Sequence, residues 1–574
     1  MASRREFLQK TAGYILLPGL GSGLMGRRPI KGMPGPSVVN PNSDPLARAK
    51  NLDKLVMVGP PPGSSYKTKL PFNELFYGDQ FPQLAHEVLA NKNAYLTNGK
   101  PPKADETVDL AIIGGGLAGL TAAYALRHHN PVMLEYADRF GGNSKGETWR
   151  GTPYSMGGAY LIDPCPGPLL DTLCELGLDD TLRAYSGDDA IAVGNQRLRR
   201  FFNGEGSPKE DAPKFAQYKE RLKYFAFQDY PDMPTEDGKL SQTVQDLDKR
   251  SLKAEITSWI DGSFPTLLES AIQLYCYSSF NAGWEEVSAA SGLNFLAAEE
   301  YDLWVYPGGL GQVASRLWKH TANATGNGNM RAGQFVFDVR RVRQGVQITY
   351  IDAKRQVRSM LAKAAVVACP KKIYQWLDDS IDETRLQTIR DLNYRSYCVA
   401  NVLIDQPTPD EFYDLFLIQD GVPTSAAKAA DAHRITDALS ARWVSGGGGN
   451  ESVLTCYWPM PFDPAALHFT FGQWGAGEAE TNFRQQCAES VLKILEIIDV
   501  PAKAVNQIRL TRWGHAMPVS PVGFYNAGLH NVLREPIDER VFFVNQDNWA
   551  LPAIETSMYE AFYYVPRIEK ALGR

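Results

Sequence analysis

The 574-residue sequence predicts an α/β protein in which a Rossmann-type nucleotide-binding domain is interleaved with a second, α+β domain. Three observations predict it. The apolar run 108–113 leads through Gly114-Gly115-Gly116-Leu117-Ala118-Gly119 into a small-residue stretch, 117–129, and then a second apolar run, 131–135: strand, glycine-rich turn, helix, strand. Far along the chain, 334–352 alternates as two strands around Gln344-Gly345, 364–369 reads as a buried strand, and 541–572 as strand, turn and long helix, so distant pieces complete the sheet. Between them, 168–312 is mostly helical in pattern and charged in its middle, which suits an inserted domain.

Composition sets the bounds. With 44% hydrophobic and 22% charged residues the chain is globular, and disorder and collagen are excluded. At about 150 residues per domain its length suggests four units, but large α/β proteins use longer ones, so two interleaved domains and an N-terminal extension are expected. Against 65 Asp and Glu stand 59 Lys and Arg, a formal charge of -6 with no basic block in the body, so nucleic acid is not an expected partner. The 7 cysteines fall in no CxxC or zinc-ligand spacing and read as buried small hydrophobes; no metal, covalent haem or iron–sulfur ligand set is read from them.

At the start, Ser3-Arg4-Arg5-Glu6-Phe7-Leu8-Gln9-Lys10 precedes a weakly apolar stretch, 13–25, broken by Pro18, Gly19, Gly21 and Gly23 and too short to span a bilayer. The segment 1–28 resembles a twin-arginine export signal. That resemblance implies export of a folded, cofactor-loaded protein to the periplasm, with the export machinery as a partner. The segment 29–105, rich in Pro, Gly and Asn with one helical stretch at 81–89, is read as an ordered arm.

In the glycine loop, Gly114 permits the tight turn, Gly116 lets backbone approach a pyrophosphate, and Gly119 lets the helix pack on the strand, with Leu117 and Ala118 opening that helix. Glu135, followed by Tyr136, closes the second strand ~20 residues on, where a carboxylate accepts from ribose hydroxyls. NAD and FAD both use this fingerprint. The next segment, Arg139-Phe140-Gly141-Gly142-Asn143-Ser144-Lys145-Gly146, resembles the R-x-G-G stretch of the flavin amine oxidase superfamily, and Gly157-Gly158-Ala159-Tyr160 sits where that superfamily passes the flavin ring. Tyr306-Pro307-Gly308-Gly309, Ala365-Val366-Val367-Ala368-Cys369-Pro370 and Phe543-Val544-Asn545-Gln546-Asp547 follow its order. The resemblance implies FAD in a glutathione reductase-like domain, Asp547 holding the flavin ribitol, and Glu555 and Thr556 at a helix start beside the flavin's pyrimidine carbonyl.

Phe81-Pro82-Gln83-Leu84-Ala85-His86, the segments 141–145 and 397–403, Arg512-Trp513-Gly514-His515 and 545–561 look most like bacterial spermidine dehydrogenase and its relatives. The stretch 180–290 carries no such motif. Two departures stand out: Pro552 occupies a position where related amine oxidases keep a flavin-flanking tyrosine, and their lysine near flavin N5 has no evident counterpart. The resemblance assigns 106–165, 305–375 and 536–574 to the FAD-binding domain and 166–304 and 376–535 to the substrate domain. His515 and Trp513 are expected on the substrate side, with Tyr525, Trp549 and Tyr559 as cavity aromatics; a buried Trp and a satisfied His are the structural alternative.

The function expected is hydride removal from a C–H bond next to the nitrogen of an amine, a polyamine included, with oxygen, a quinone or a cytochrome as electron acceptor. A FAD-dependent desaturase of an apolar substrate and a non-catalytic flavin-bearing binding or chaperone protein are the alternatives. A second copy of the chain, forming a homodimer, is the remaining partner considered.

Overall fold

The computed structural model describes residues 70–78, 82–164, 166–185, 190–409, 411–418, 435–460 and 478–573. The expected export signal, the arm up to residue 69 and Cys165 lie outside the described residues.

Strand Glu106–Ile113 is the centre of a seven-stranded sheet. Its last four residues are all buried, because alternate side chains enter different cores: Leu110 and Ile112 pack beneath the glycine-rich helix, Ala111 and Ile113 on the opposite face. A strand covered on both faces reads as a continuous apolar run, which is how the sequence announces it. It pairs in parallel with Val132–Leu134 on one side and with Val357–Val367 on the other, where Val367 lies opposite Ile113. The strand Val357–Val367 is eleven residues long and its far edge is shared: Gly345–Ile351 pairs antiparallel with its first half and Val541–Phe543 parallel with its end. Phe335–Val342 and Met330–Arg331 are the outer strands.

Helices Leu117–Ala125, Gly311–Thr325 and Ile554–Leu572 cover one face of this sheet. The arm covers part of the other: Val88 and Leu89 of helix Pro82–Ala90, with Tyr95 and Leu96, pack against Phe337 and Tyr350.

The second sheet has eight strands in the order Phe72–Gly78, Val505–Pro518, Tyr394–Ile404, Ser452–Pro459, Asp437–Ser440, Asp414–Ile418, Ala190–Val193, Gln196–Leu198. The arm therefore also supplies an edge strand, parallel to Val505–Pro518. Helices Ala212–Phe227, Thr266–Phe280 and Ala289–Ala298 build the largest apolar core beside this sheet, while Val491, Ile494 and Leu495 of Glu478–Ile497 pack on Cys398, Ala400 and Leu454.

Candidate active site

The loop after Glu106–Ile113 opens a cavity of about 300 Å³ that reaches from Gly114 and Gly116 past Gly142 and Lys145 to Trp513 and Gln546. Helix Leu117–Ala125 has Gly116 as its N-cap and no side chain capping its first turn, so the helix presents unsatisfied N–H groups and the positive end of its dipole to the cavity. Gly116 and Gly141 make a parallel bridge between the two glycine loops. A Cβ on Gly142, whose φ is +56°, would lie 2.9 Å from Gly116 Cα, and one on Gly119 would lie 2.0 Å from Gly114 O. Glu135 is buried on the cavity wall and its carboxylate is fixed by two backbone donors, Gly115 N at 2.6 Å and Ala137 N at 2.7 Å.

A second cavity of about 550 Å³ shares Asn143, Trp513, Ala516, Gln546 and Ile554 with the first. Trp513 is buried at this junction and donates from Nε1 to Met156 O at 3.0 Å. Gly157 must be glycine here, since its Cβ would meet Asn143 O at 2.0 Å and Trp513 Nε1 at 3.2 Å. The wall is aromatic, with Tyr160, Tyr230, Tyr397, Tyr457 and Tyr559 among its rings. Tyr397 and Tyr457 meet edge to face with centroids 5.6 Å apart and donate to Ser278 O and Gly157 O. Burial, reinforced by the nearby Asp437 carboxylate, pushes both phenols far above their ordinary range, so they stay protonated donors. Among the described residues, the charged side chains lining this cavity are Asp232, Glu236, Glu299 and Glu555; no lysine, arginine or histidine lines it.

Residues 117–545 match the family described as flavin containing amine oxidoreductase. The chain belongs to this family. Oxidoreductase PigB of Serratia sp. (strain ATCC 39006) is 25% identical over 520 residues, covering 80% of this chain and 74% of that protein. A putative flavin-containing monoamine oxidase, AofH of Mycobacterium tuberculosis (strain ATCC 25618 / H37Rv), is 37% identical over 87 residues, 15% of this chain and 19% of its own length. Among solved structures, wild-type putrescine oxidase bound to putrescine superposes with a TM-score of 0.59 at 16% identity, covering 82% of this chain and 99% of that one. Cyclohexylamine oxidase from Brevibacterium oxydans IH-35A gives 0.56 at 18% identity, covering 81% and 99%. These likenesses show a shared fold.

As a flavin-containing amine oxidoreductase the protein is an FAD-dependent enzyme, and the smaller cavity fits the cofactor. It joins a helix start with open N–H groups, the buried Glu135 carboxylate and a glycine-lined groove to an aromatic junction, the features that would hold a dinucleotide's phosphates and ribose. Of the residues expected from the sequence, Gly114, Gly116, Leu117, Ala118, Glu135, Tyr136, Gly141, Gly142 and Asn143 line it, and Gly119 packs just beneath. Gly157, Gly158, Ala159, Glu555 and Thr556 line the larger cavity, as do Pro552 and Tyr559. Glu555 also accepts from Ile162 N at 2.6 Å, tying the helix start to the strand Tyr160–Ile162.

Five expected positions fall elsewhere. Arg139 lines neither cavity; it is half-exposed, 3.6 Å from Glu147 and donating weakly to Met156 Sδ. Asp547 is fully buried away from both cavities, because the turn Gln546–Asn548 points Gln546 outward and Asp547 inward, where Lys371 N, Lys371 Nζ and Tyr394 OH donate to it. His515 lines the cofactor cavity and not the substrate cavity. Tyr525 and Trp549 are core residues: Tyr525 bonds Ser291 Oγ and Trp549 O, while the Trp549 indole donates to Glu560 and stacks on His530.

The sequence reading missed Gln546, which lines both cavities, and Lys145, whose Nζ sits 5.7 Å above the Trp513 ring on the cofactor wall. Both lie within segments that carry the family resemblance, so neighbouring residues were visible but their directions were not. Asp232 and Glu236 come from the stretch without a motif and Glu299 from just beyond it, and only the folded cavity identifies them.

Proposed function

We propose that this enzyme oxidises a di- or polyamine at a carbon next to nitrogen. The observation that carries the reading is the acidic, aromatic-rich lining of the larger cavity, which attracts a cationic chain and, among the described residues, offers no basic side chain to compete. Bound FAD supplies the acceptor for a hydride equivalent, and water hydrolyses the resulting imine. The protein's own groups bind, orient and exclude water. Trp513, fixed by its bond to Met156 O, forms the wall at the junction, and the aromatic rings strip water from the substrate's alkyl chain. Carboxylates beyond the junction hold an ammonium that is not reacting, which leaves the reacting nitrogen free to be neutral. Nothing in this chemistry demands an acid–base pair. Export through the twin-arginine route to the periplasm, with electrons passed to a carrier there, completes the proposal.

The test is anaerobic mixing of the holoenzyme with mono-, di- and polyamines while the visible flavin band is followed. Bleaching by amines, fastest with di- or polyamines, is expected; bleaching by an apolar C–C substrate and by no amine overturns the reading in favour of a desaturase. For export, the R4K/R5K variant is expected to stay in the cytoplasm while the native chain reaches the periplasm, and equal export of both removes that part.

A further inference from the structure

The glycine-rich helix and the C-terminal helix both start at the cavities, and the chain just after the first meets the last turns of the second. There the turn Arg127–His129 meets Glu569 of Ile554–Leu572. His128 Nε2 lies 3.0 Å and His129 Nε2 3.6 Å from the same oxygen, Glu569 Oε1, and all three ligand atoms fall within 4.8 Å of one another. The two imidazole centroids lie 4.1 Å apart with their planes tilted by 45°. His129 is buried at 2% side-chain exposure, Glu569 is partly covered at 33% and His128 is open at 50%, so the group is walled on one side and reachable from solvent on the other.

The two histidine–glutamate separations, 3.0 and 3.6 Å, bracket a metal coordination edge. In a tetrahedral site with ligands about 2.0–2.2 Å from zinc, neighbouring ligand atoms stand ~3.3 Å apart. Two imidazoles and one carboxylate select a borderline transition ion over magnesium or calcium, which take all-oxygen shells. Three protein ligands and one open side also leave a fourth position for water.

We propose that His128, His129 and Glu569 bind a divalent transition metal ion of the zinc type, which clamps the ends of the two helices whose starts build the active site. The histidines are adjacent in sequence and the glutamate is 441 residues from His128, so only the fold assembles the set. The clamp is structural: none of the three residues lines either cavity.

The experiment uses tag-free holoenzyme treated with a chelator, dialysed and titrated calorimetrically with zinc sulfate, with magnesium chloride as the comparison. One equivalent of zinc should bind with a dissociation constant at or below about the micromolar range. It should raise the melting temperature by a few degrees at about a hundredfold excess over that constant, while magnesium does neither. His128→Ala and Glu569→Gln should each weaken zinc binding about tenfold or more, with FAD content and amine turnover unchanged. Absence of saturable zinc binding, equal binding of magnesium, or undiminished zinc affinity in the H128A/E569Q variant overturns the proposal. Because the readout is metal affinity, its failure leaves the amine oxidase reading standing.

Discussion

Asp248 and His530 are both buried in the substrate-side core and pull the pH dependence of stability in opposite directions. Asp248 accepts from Ser288 Oγ at 2.6 Å and Asn526 Nδ2 at 3.0 Å, and burial pushes its carboxyl up to about 8. The native state thus keeps a proton that the unfolded chain gives up near pH ~4, so this group makes stability fall as pH rises from there to about 8. His530, stacked on Trp549, is lowered by burial to about 4. Its unfolded form takes up a proton below pH ~6.5 where the native form does not, so it makes stability fall as pH drops. The two oppose below pH ~6.5, and above it only Asp248 acts. Melting curves should therefore show the native enzyme losing stability between pH ~6.5 and 8, and Asp248→Asn should flatten that decline. Gly142 provides a second residue-scale prediction. Gly142→Ala places a methyl 2.9 Å from Gly116 Cα and should give protein with little bound FAD, read from flavin absorbance. Gly151→Ala is the control: its φ is +90° but nothing lies within 4 Å, so it should cost about 1 kcal/mol of stability and leave FAD content alone.

At the scale of elements, the helical insertion supplies three of the four carboxylates that line the larger cavity, Glu555 of the C-terminal helix being the fourth. Asp232 lies in the segment before Gln242–Leu247, and Glu299 caps the end of Ala289–Ala298, where it accepts from Tyr275 OH at 2.8 Å. Losing one charge-assisted contact to a second ammonium is worth ~1.4 kcal/mol, about tenfold in affinity. Asp232→Asn and Glu299→Gln should each raise KM for a diamine about tenfold with kcat little changed, and affect a monoamine far less, by steady-state kinetics. On the cofactor side, Lys145 offers a buried cation on the wall, and Lys145→Met should weaken FAD binding, measured as cofactor released on dilution. The strand Val505–Pro518 shows why element patterning carried the reading only part way. Trp513 and His515, two apart, share one face of that strand by its period, yet Trp513 lines both cavities and His515 only the smaller one.

For the whole molecule, a buried ion pair at the end of the first sheet is tied to the second sheet by a hydrogen bond. Lys371 and Asp547, each 1% exposed, meet beneath the cofactor cavity; Tyr394, from the substrate sheet, donates to the same carboxylate. Asn548 carries the network to Glu560, which also receives Arg534 and the Trp549 indole. Desolvation lowers the Lys371 ammonium from its usual range, opposed by Asp547. Removing one member of such a pair strands the other, at ~3–5 kcal/mol. Lys371→Met alone should therefore lower stability sharply in denaturant melts, and the K371M/D547L pair should recover most of the loss.

The sequence by itself determined the α/β fold class and its glycine loop, because a tight turn, an open helix start and the Glu135 carboxylate beside them are built from residues close in the chain. It also carried enough of the family's order along 117–545 to place FAD and the enzyme class. It could not decide which side of a turn Asp547 or Gln546 faces, whether Tyr525 and Trp549 are wall or core, or that the arm edges the second sheet. Those follow from packing between segments hundreds of residues apart. Only the closed fold decides which side chains a cavity keeps exposed to a substrate and which the core surrounds, as it alone gathers Asp232, Glu299 and Glu555 on one aromatic wall.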